Sequence, residues 1–238
     1  MSGYREPKAI LFDLDDTIVA WDAVTDQVWA EVCHNYAPRV SGLEANKLFN
    51  EIKRANEWYY SDPERLRWGR TNLYTSRREV VSLALSHLGI SDPDFATRIA
   101  DSYSEEKEKT AFILPGVIDT LKYLINRSIR LVLASNGTSE IQHRKIERLG
   151  LASFFDFILI EGDFGIGKPD ERFFWHILNQ LNIYPSEAWM VGDRLDQDIG
   201  GAQRVGIYSV WVDWKAEGLP ESTSVQPDRI IKTLSELL

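Results

Sequence analysis

Ala9-Ile10-Leu11-Phe12-Asp13-Leu14-Asp15-Asp16-Thr17 is the stretch that decides the fold. Four apolar residues end abruptly in a cluster of carboxyls. So short an apolar run, bounded by polar residues, predicts a strand buried on both faces. Asp13 then falls at the strand's carboxyl end, where open α/β sheets place their ligands. Asp13 and Asp15 share one side of an extended segment or converge across a tight loop. Two such charges about 4 Å apart repel by roughly 4 kcal/mol at an effective dielectric near 20. A bound cation or a retained proton relieves that repulsion. A plain solvated turn or helix cap is the alternative for Asp15-Asp16-Thr17.

Downstream of Thr17 the rhythm becomes helical. Val24, Val28, Trp29, Val32 and Cys33 recur at helical spacing before Pro38. Residues 43–60 predict a second helix, broken at Ser61-Asp62-Pro63. Residues 73–88 predict another, closing at Gly89, and Asp92-Pro93 opens one that runs to about Lys109. From Leu114-Pro115-Gly116 onward, strand and helix alternate. Strands are expected at 129–134, 157–160, 189–191 and 208–212, with an edge strand and closing helix after Pro227. The expected fold class is therefore α/β: a doubly wound, Rossmann-like parallel sheet core with an inserted α-helical bundle. Residues 1–17 and 112–238 form the core, residues 18–111 the insert, and the crossings near 18–21 and 110–114 are candidate hinges.

The chain has 238 residues and a net charge of -9, which argues against non-specific binding to nucleic acid or anionic membranes. Residues 1–6 lack the apolar core of a signal peptide, and no apolar run approaches a membrane span. Cys33 is the single cysteine, which excludes an intrachain disulfide and fits a reducing, cytoplasmic location. His34, His87, His143 and His176 lie scattered and show no zinc spacing.

Polar chemistry follows three of the predicted strands: Asp13 and Asp15, Ser135-Asn136, and Gly192-Asp193. Lys168, in a Gly-rich stretch after the strand at 157–160, reaches the same edge of a parallel sheet. The carboxylates of Asp13 and Asp193 are hard oxygen donors suited to Mg²⁺. Ser135 and the amide of Asn136 offer hydrogen bonds to phosphate oxygens. Lys168 and a divalent ion together offset most of the negative charge of such a site carrying a phosphate. Singly these features are ordinary: Ser-Asn-Gly is a turn sequence, and Asp193 or Asp198 could simply cap a helix. Their order, each after a predicted strand, is the specific signal.

In that order the chain resembles the haloacid dehalogenase-like superfamily, in its helical-cap (subfamily I) phosphatase branch. The four motifs are Asp13-Leu14-Asp15-Asp16-Thr17, Ser135, Lys168 before Pro169, and Gly192-Asp193 through Asp198, and the likeness covers nearly the whole chain. The resemblance implies a Mg²⁺-dependent phosphatase acting on a small phosphorylated metabolite through an aspartyl-phosphate. Asp13 would be the nucleophile and a metal ligand. Asp15 would be the acid and base, with its backbone carbonyl on the metal. Asp193 would complete the metal ligands, and Asp198 would hold Lys168 or water around the ion. Ser135, Asn136 and Lys168 would bind the phosphoryl group, with Lys168 also stabilising transition-state charge. A carboxyl at position 15 suits an alkoxide leaving group, which needs a proton, rather than halide.

Specificity would lie in the cap, where Tyr59, Tyr60, Arg65, Arg67, Trp68, Arg70 and Tyr74 form an aromatic and basic concentration. Arg67 and Trp68 are the candidate substrate readers, against the alternative of cap packing and solvated arginines. The expected partner is a small phosphomonoester, with no nucleic acid or membrane, and the protein a monomer or homodimer. The alternatives are a sugar phosphomutase of the same superfamily and a non-catalytic binding protein that retains the fold.

Overall fold

The computed structural model describes residues 6–238; residues 1–5, part of the start expected to lack a leader, lie outside them. In chain order the strands are β1 (Ala9–Phe12), β2 (Val19–Ala20), β3 (Phe112–Ile113), β4 (Arg130–Ser135), β5 (Phe157–Ile160), β6 (Ala188–Gly192), β7 (Tyr208–Val212) and β8 (Arg229–Ile231). The helices of the insert are α1 (Thr25–Tyr36), α2 (Ala45–Tyr60), α3 (Pro63–Thr71), α4 (Leu73–His87) and α5 (Pro93–Thr110). Those that follow are α6 (Val117–Asn126), α7 (Ser139–Arg148), α8 (Glu161–Phe164), α9 (Glu171–Leu181) and α10 (Gly200–Arg204).

Chain contacts divide the molecule into two units. One runs to Ala20 and resumes at Phe112; the other is Trp21–Ala111. The first holds a six-stranded sheet in the order β5-β4-β1-β6-β7-β8, parallel throughout. Strand β1 is central, with Phe12 level with Leu133 of β4 and Val191 of β6. From β1 the chain builds outward to β4 and β5, then returns to add β6, β7 and β8 on the other side. The strand order thus reverses at β1, the switch point at which α/β sheets open a crevice.

Both faces of β1 are covered. Ala9 and Leu11 pack with Val132, Ala134 and Met190 against Phe173, Phe174, Ile177 and Leu178 of α9. Ile10 and Phe12, of opposite parity, are equally buried. This explains an unbroken apolar run in place of alternation. Burial of each such side chain stabilises the sheet by about 1.5–3 kcal/mol.

The stretches expected as hinges hold a small antiparallel ribbon: Val19 pairs with Ile113 and Ala20 with Phe112. Two-residue strands are too short to show a period, so the sequence does not reveal them.

The second unit is helical from α1 to α5. Asp62 caps α3 by accepting from the amides of Glu64 and Arg65, with Pro63 at the first helical position. Asp92 caps α5 through the Phe95 amide, followed by Pro93. Gly89, at φ +77°, ends α4 in the left-handed conformation that glycine alone adopts freely. The rings of Trp29 and Tyr103 stack at 3.6 Å, joining α1 to α5. Among the described residues no helix is long and apolar enough to cross a membrane.

Candidate active site

The Asp13 amide donates to Val191 O at 2.9 Å, extending the β1–β6 ladder by one residue before the chain turns. Asp16 makes that turn at φ +57°, its amide donating to Val19 O at 2.7 Å. Aspartate tolerates this left-handed geometry better than bulkier residues do. Asp13 and Asp15 are thereby held in one tight loop at the sheet's carboxyl edge.

Lys168 is nearly inaccessible and lies between two carboxylates. Its Nζ is 2.6 Å from Asp13 Oδ1 and 2.6 Å from Asp198 Oδ1. The other oxygen of Asp198 accepts the Arg194 amide at 2.9 Å. Gly192 makes this possible. A Cβ there would lie 2.3 Å from Asp198 Oδ2, so the residue before Asp193 must lack a side chain. Between Asp193 and α10 the chain forms a single π-helical turn, Leu195–Ile199. That turn aims Asp198 back at Gly192.

Asn136 is tied to the loop that carries Lys168. Its Nδ2 donates to Lys168 O at 2.7 Å and its Oδ1 accepts the Lys168 amide at 2.8 Å. The side chain therefore faces protein. Ser135 is buried at the end of β4, and its Oγ accepts from Gln142 Nε2 at 2.8 Å. The stretch read as a Gly-rich loop begins with the short helix α8, whose Glu161 accepts the Gly137 amide at 3.0 Å.

Two residues that sequence reading missed stand behind Asp15. Lys145 Nζ forms an ion pair with Asp15 Oδ1, and Gln142 Nε2 reaches Oδ2 at 2.9 Å. Both lie on α7 and are only 3% exposed, a burial at which an uncompensated lysine would be costly. Their signal was positional: they flank Ile141 and Ile146 on the inward stripe of the helix.

Asp13, Asp193 and Asp198 each offer a carboxylate oxygen, all within 4.8 Å of one another. Burial above all, then Asp198 and Asp15, pushes the Asp13 carboxyl up to about 7 against the pull of Lys168. Burial, with Asp13, Asp198 and Asp16, pushes Asp193 up to about 9. Burial draws the Lys168 ammonium down, but Asp13 and Asp198 outweigh it and hold it above its ordinary value. Asp13 and Asp193 are thus costly as anions without a further positive charge. Hard oxygen donors on a partly open rim fit a divalent ion such as Mg²⁺.

In the helical unit, Arg67 and Trp68 are exposed on α3. Trp68 borders a shallow depression with Tyr59, Glu64, Arg65 and Glu79, and Arg67 does not line it. Neither residue lines a separate cavity among α1, α2, α4 and α5, which contains Arg77 and Lys107.

A parallel sheet that gathers carboxyls, a buried lysine and hydroxyl donors at its switch point has the layout of an anion-handling enzyme site. The family model for haloacid dehalogenase-like hydrolases matches residues 7–206, and the chain belongs to that family. A phosphoserine phosphatase from Thermus thermophilus is 35% identical over 97% of this chain and 97% of its own. A 2-haloacid dehalogenase from Pseudomonas syringae is 31% identical, with a TM-score of 0.62 over 97% of this chain and 96% of its own. The magnesium-bound HAD-hydrolase YfnB from Bacillus subtilis shares the fold at a TM-score of 0.76, with 21% identity over 98% of this chain and 97% of its own.

Proposed function

We propose that this hydrolase is a Mg²⁺-dependent phosphatase that cleaves a small phosphorylated metabolite through an aspartyl-phosphate on Asp13. The observation that carries the reading is the Asp13 carboxylate at the end of the central strand, with Lys168 at 2.6 Å and Asp15 held two residues away. Lys168 engages Oδ1, which leaves Oδ2 for in-line attack on phosphorus. As the bond from Asp13 to phosphorus forms, the ester P–O bond breaks and its electron pair stays on the leaving oxygen. Asp15 gives that oxygen its proton. Asp15 then takes a proton from water, the water oxygen attacks phosphorus, and the bond to Asp13 breaks to release inorganic phosphate.

Ser135 and the backbone amide of Asn136 hold the transferring phosphoryl oxygens, and Lys168 stabilises the charge that develops there. The carboxylates of Asp13 and Asp193 and the backbone carbonyl of Asp15 would hold Mg²⁺, which when bound neutralises charge on the phosphoryl oxygens. Asp198 positions Lys168. The carboxyl at position 15 supports ester cleavage over halide release, because an alkoxide leaves poorly without a proton. The helical unit would select the organic part of the substrate.

The test is a panel of phosphorylated metabolites scored by inorganic phosphate release. Wild-type protein with Mg²⁺ should turn over at least one member, chelation by EDTA should silence it, and Asp13→Asn should abolish turnover while leaving the fold intact. Substantial activity in Asp13→Asn with Mg²⁺ would rule out a covalent route through that side chain. Transfer to a second hydroxyl without phosphate release would identify a mutase instead.

A further inference from the structure

The helical unit contains a partly open cavity of about 200 Å³, lined by residues of α1, α2, α4 and α5 and by Trp21 and Asp22 just before α1. Three charged residues line it: Arg77, Lys107 and Asp22. In a chain of net charge -9, the charged groups on this wall thus have a positive balance.

Arg77 is the unusual member. It is 7% exposed, donates Nη1 to Ser104 Oγ at 3.0 Å, and lies 5.1 Å from the centre of the Tyr103 ring. Among the described residues it has no ion pair. A buried guanidinium normally faces a carboxylate, because desolvating an unmatched charge is costly. Lys107, 4% exposed, donates to Thr25 Oγ1 at 2.8 Å and lies 3.4 Å from Asp22 Oδ1. The Asp22 side chain is itself 62% exposed, so the one carboxylate on the wall is largely solvated. Trp21 and the stacked Trp29–Tyr103 pair line the cavity with aromatic surface.

We infer that this cavity is a binding site for a small organic anion, with the planar fork of Arg77 receiving its carboxylate or phosphate group and Lys107 adding a second positive charge. A guanidinium matches either group bidentately, and the ammonium acts as a point charge beside it. The volume suits a fragment of a few heavy atoms, since each water in the liquid occupies about 30 Å³. Two sources present such a group: a phosphorylated substrate through a second anionic substituent, or a separate small anion acting as an effector. The substrate source rests on the phosphatase reading; anion binding itself does not.

The test reads the cavity directly. Protein carrying ¹⁵N-labelled indole rings is titrated with malonate, and separately with inorganic phosphate, while the Trp21 and Trp29 indole signals are followed by NMR. Wild type should show saturable shifts at both indoles. Arg77→Gln should weaken the binding by about 10- to 100-fold, the usual range for a lost charged hydrogen bond, and Arg77→Lys should weaken it less. The absence of saturable shifts in wild type with either anion would overturn the inference, as would unchanged affinity in a folded Arg77→Gln.

Kinetics then separate the sources. O-phosphoserine and O-phosphoethanolamine differ by one carboxylate. If the substrate supplies the anion, their kcat/KM ratio should fall about tenfold in Arg77→Gln. An unchanged ratio, with malonate altering the rate on both esters, assigns the cavity to an effector. Hydrolysis of no phosphomonoester would remove the phosphatase reading and leave the indole titration to decide the anion site alone.

Discussion

Lys145→Met offers the sharpest test of how the acid is held. Lys145 is 2% exposed in its side chain and forms an ion pair with Asp15, whose side chain is 27% exposed. Opposite charges about 4 Å apart attract by roughly 4 kcal/mol at an effective dielectric near 20. Solvent at Asp15 and the second hold from Gln142 reduce the net loss to about 1.5–3 kcal/mol, the range for a hydrogen bond to a charged group. If that energy serves to keep the Asp15 carboxyl aimed at the leaving oxygen, kcat should fall about 10- to 100-fold, at roughly 1.4 kcal/mol per decade. Methionine keeps most of the volume, so the packing of α7 should survive.

The informative assay compares leaving groups. An alkyl phosphate needs a proton on the departing oxygen; p-nitrophenyl phosphate leaves as a stable anion and scarcely needs one. The variant should therefore lose most of its kcat on the alkyl ester and much less on the nitrophenyl ester, with KM little changed on either. Equal losses on both esters in a folded variant would refute a role for Lys145 in positioning the acid. No loss on the alkyl ester would refute it as well.

Three further outcomes are expected. In ion-free protein the raised carboxyls of Asp13 and Asp193 keep protons that the unfolded chain releases above about pH 4. Their stabilising contribution is therefore full below pH 4 and is lost as pH rises through 7 and 9. Because Mg²⁺ competes with those protons, the rise in Tm on adding it should grow between pH 6 and 9; a rise that is flat or shrinks would contradict the shared acidic site. Gly192→Ala places a methyl against the Asp198 carboxyl and should cost about 1–3 kcal/mol by overpacking, read by denaturant titration, together with most of the turnover. Cys33 is fully buried and its thiol is pushed up to about 12, so it should react with a disulfide reagent only as the chain unfolds, at a rate that follows denaturant.

What the sequence discloses depends on whether a residue interrupts a pattern. Asp13, Ser135 and Asp193 were legible because each follows a buried apolar run, and parallel pairing brings such ends to one edge. The helices of the insert were legible from period and from Asp62-Pro63 and Asp92-Pro93, whose capping bonds are local. Gln142 and Lys145 were not, since polar residues on a short amphipathic helix ordinarily belong to its wet face. Only the loop arriving from β1, more than 120 positions earlier in the chain, turns that part of α7 inward. Arg77 is hidden for a similar reason: it sits one turn before Val80 and Val81 on the buried side of α4, and a single arginine in a helix interrupts no pattern. The turn at Leu195–Ile199 was hidden because its five-residue hydrogen bonding is decided by packing beneath Gly192, not by local preference.

The carboxamide of Asn136 meets the peptide group of Lys168 much as one strand meets another, giving a proton on one side and taking one on the other. An aspartate of the same shape could not do both, since it has nothing to give. Because this clasp uses main-chain atoms, the ammonium reaches its place before any ion or ester arrives, and the site is assembled during folding rather than by its ligands. It also binds the two positions unequally: any residue but proline at 168 keeps both bonds, whereas the carboxamide at 136 cannot be replaced without losing at least one.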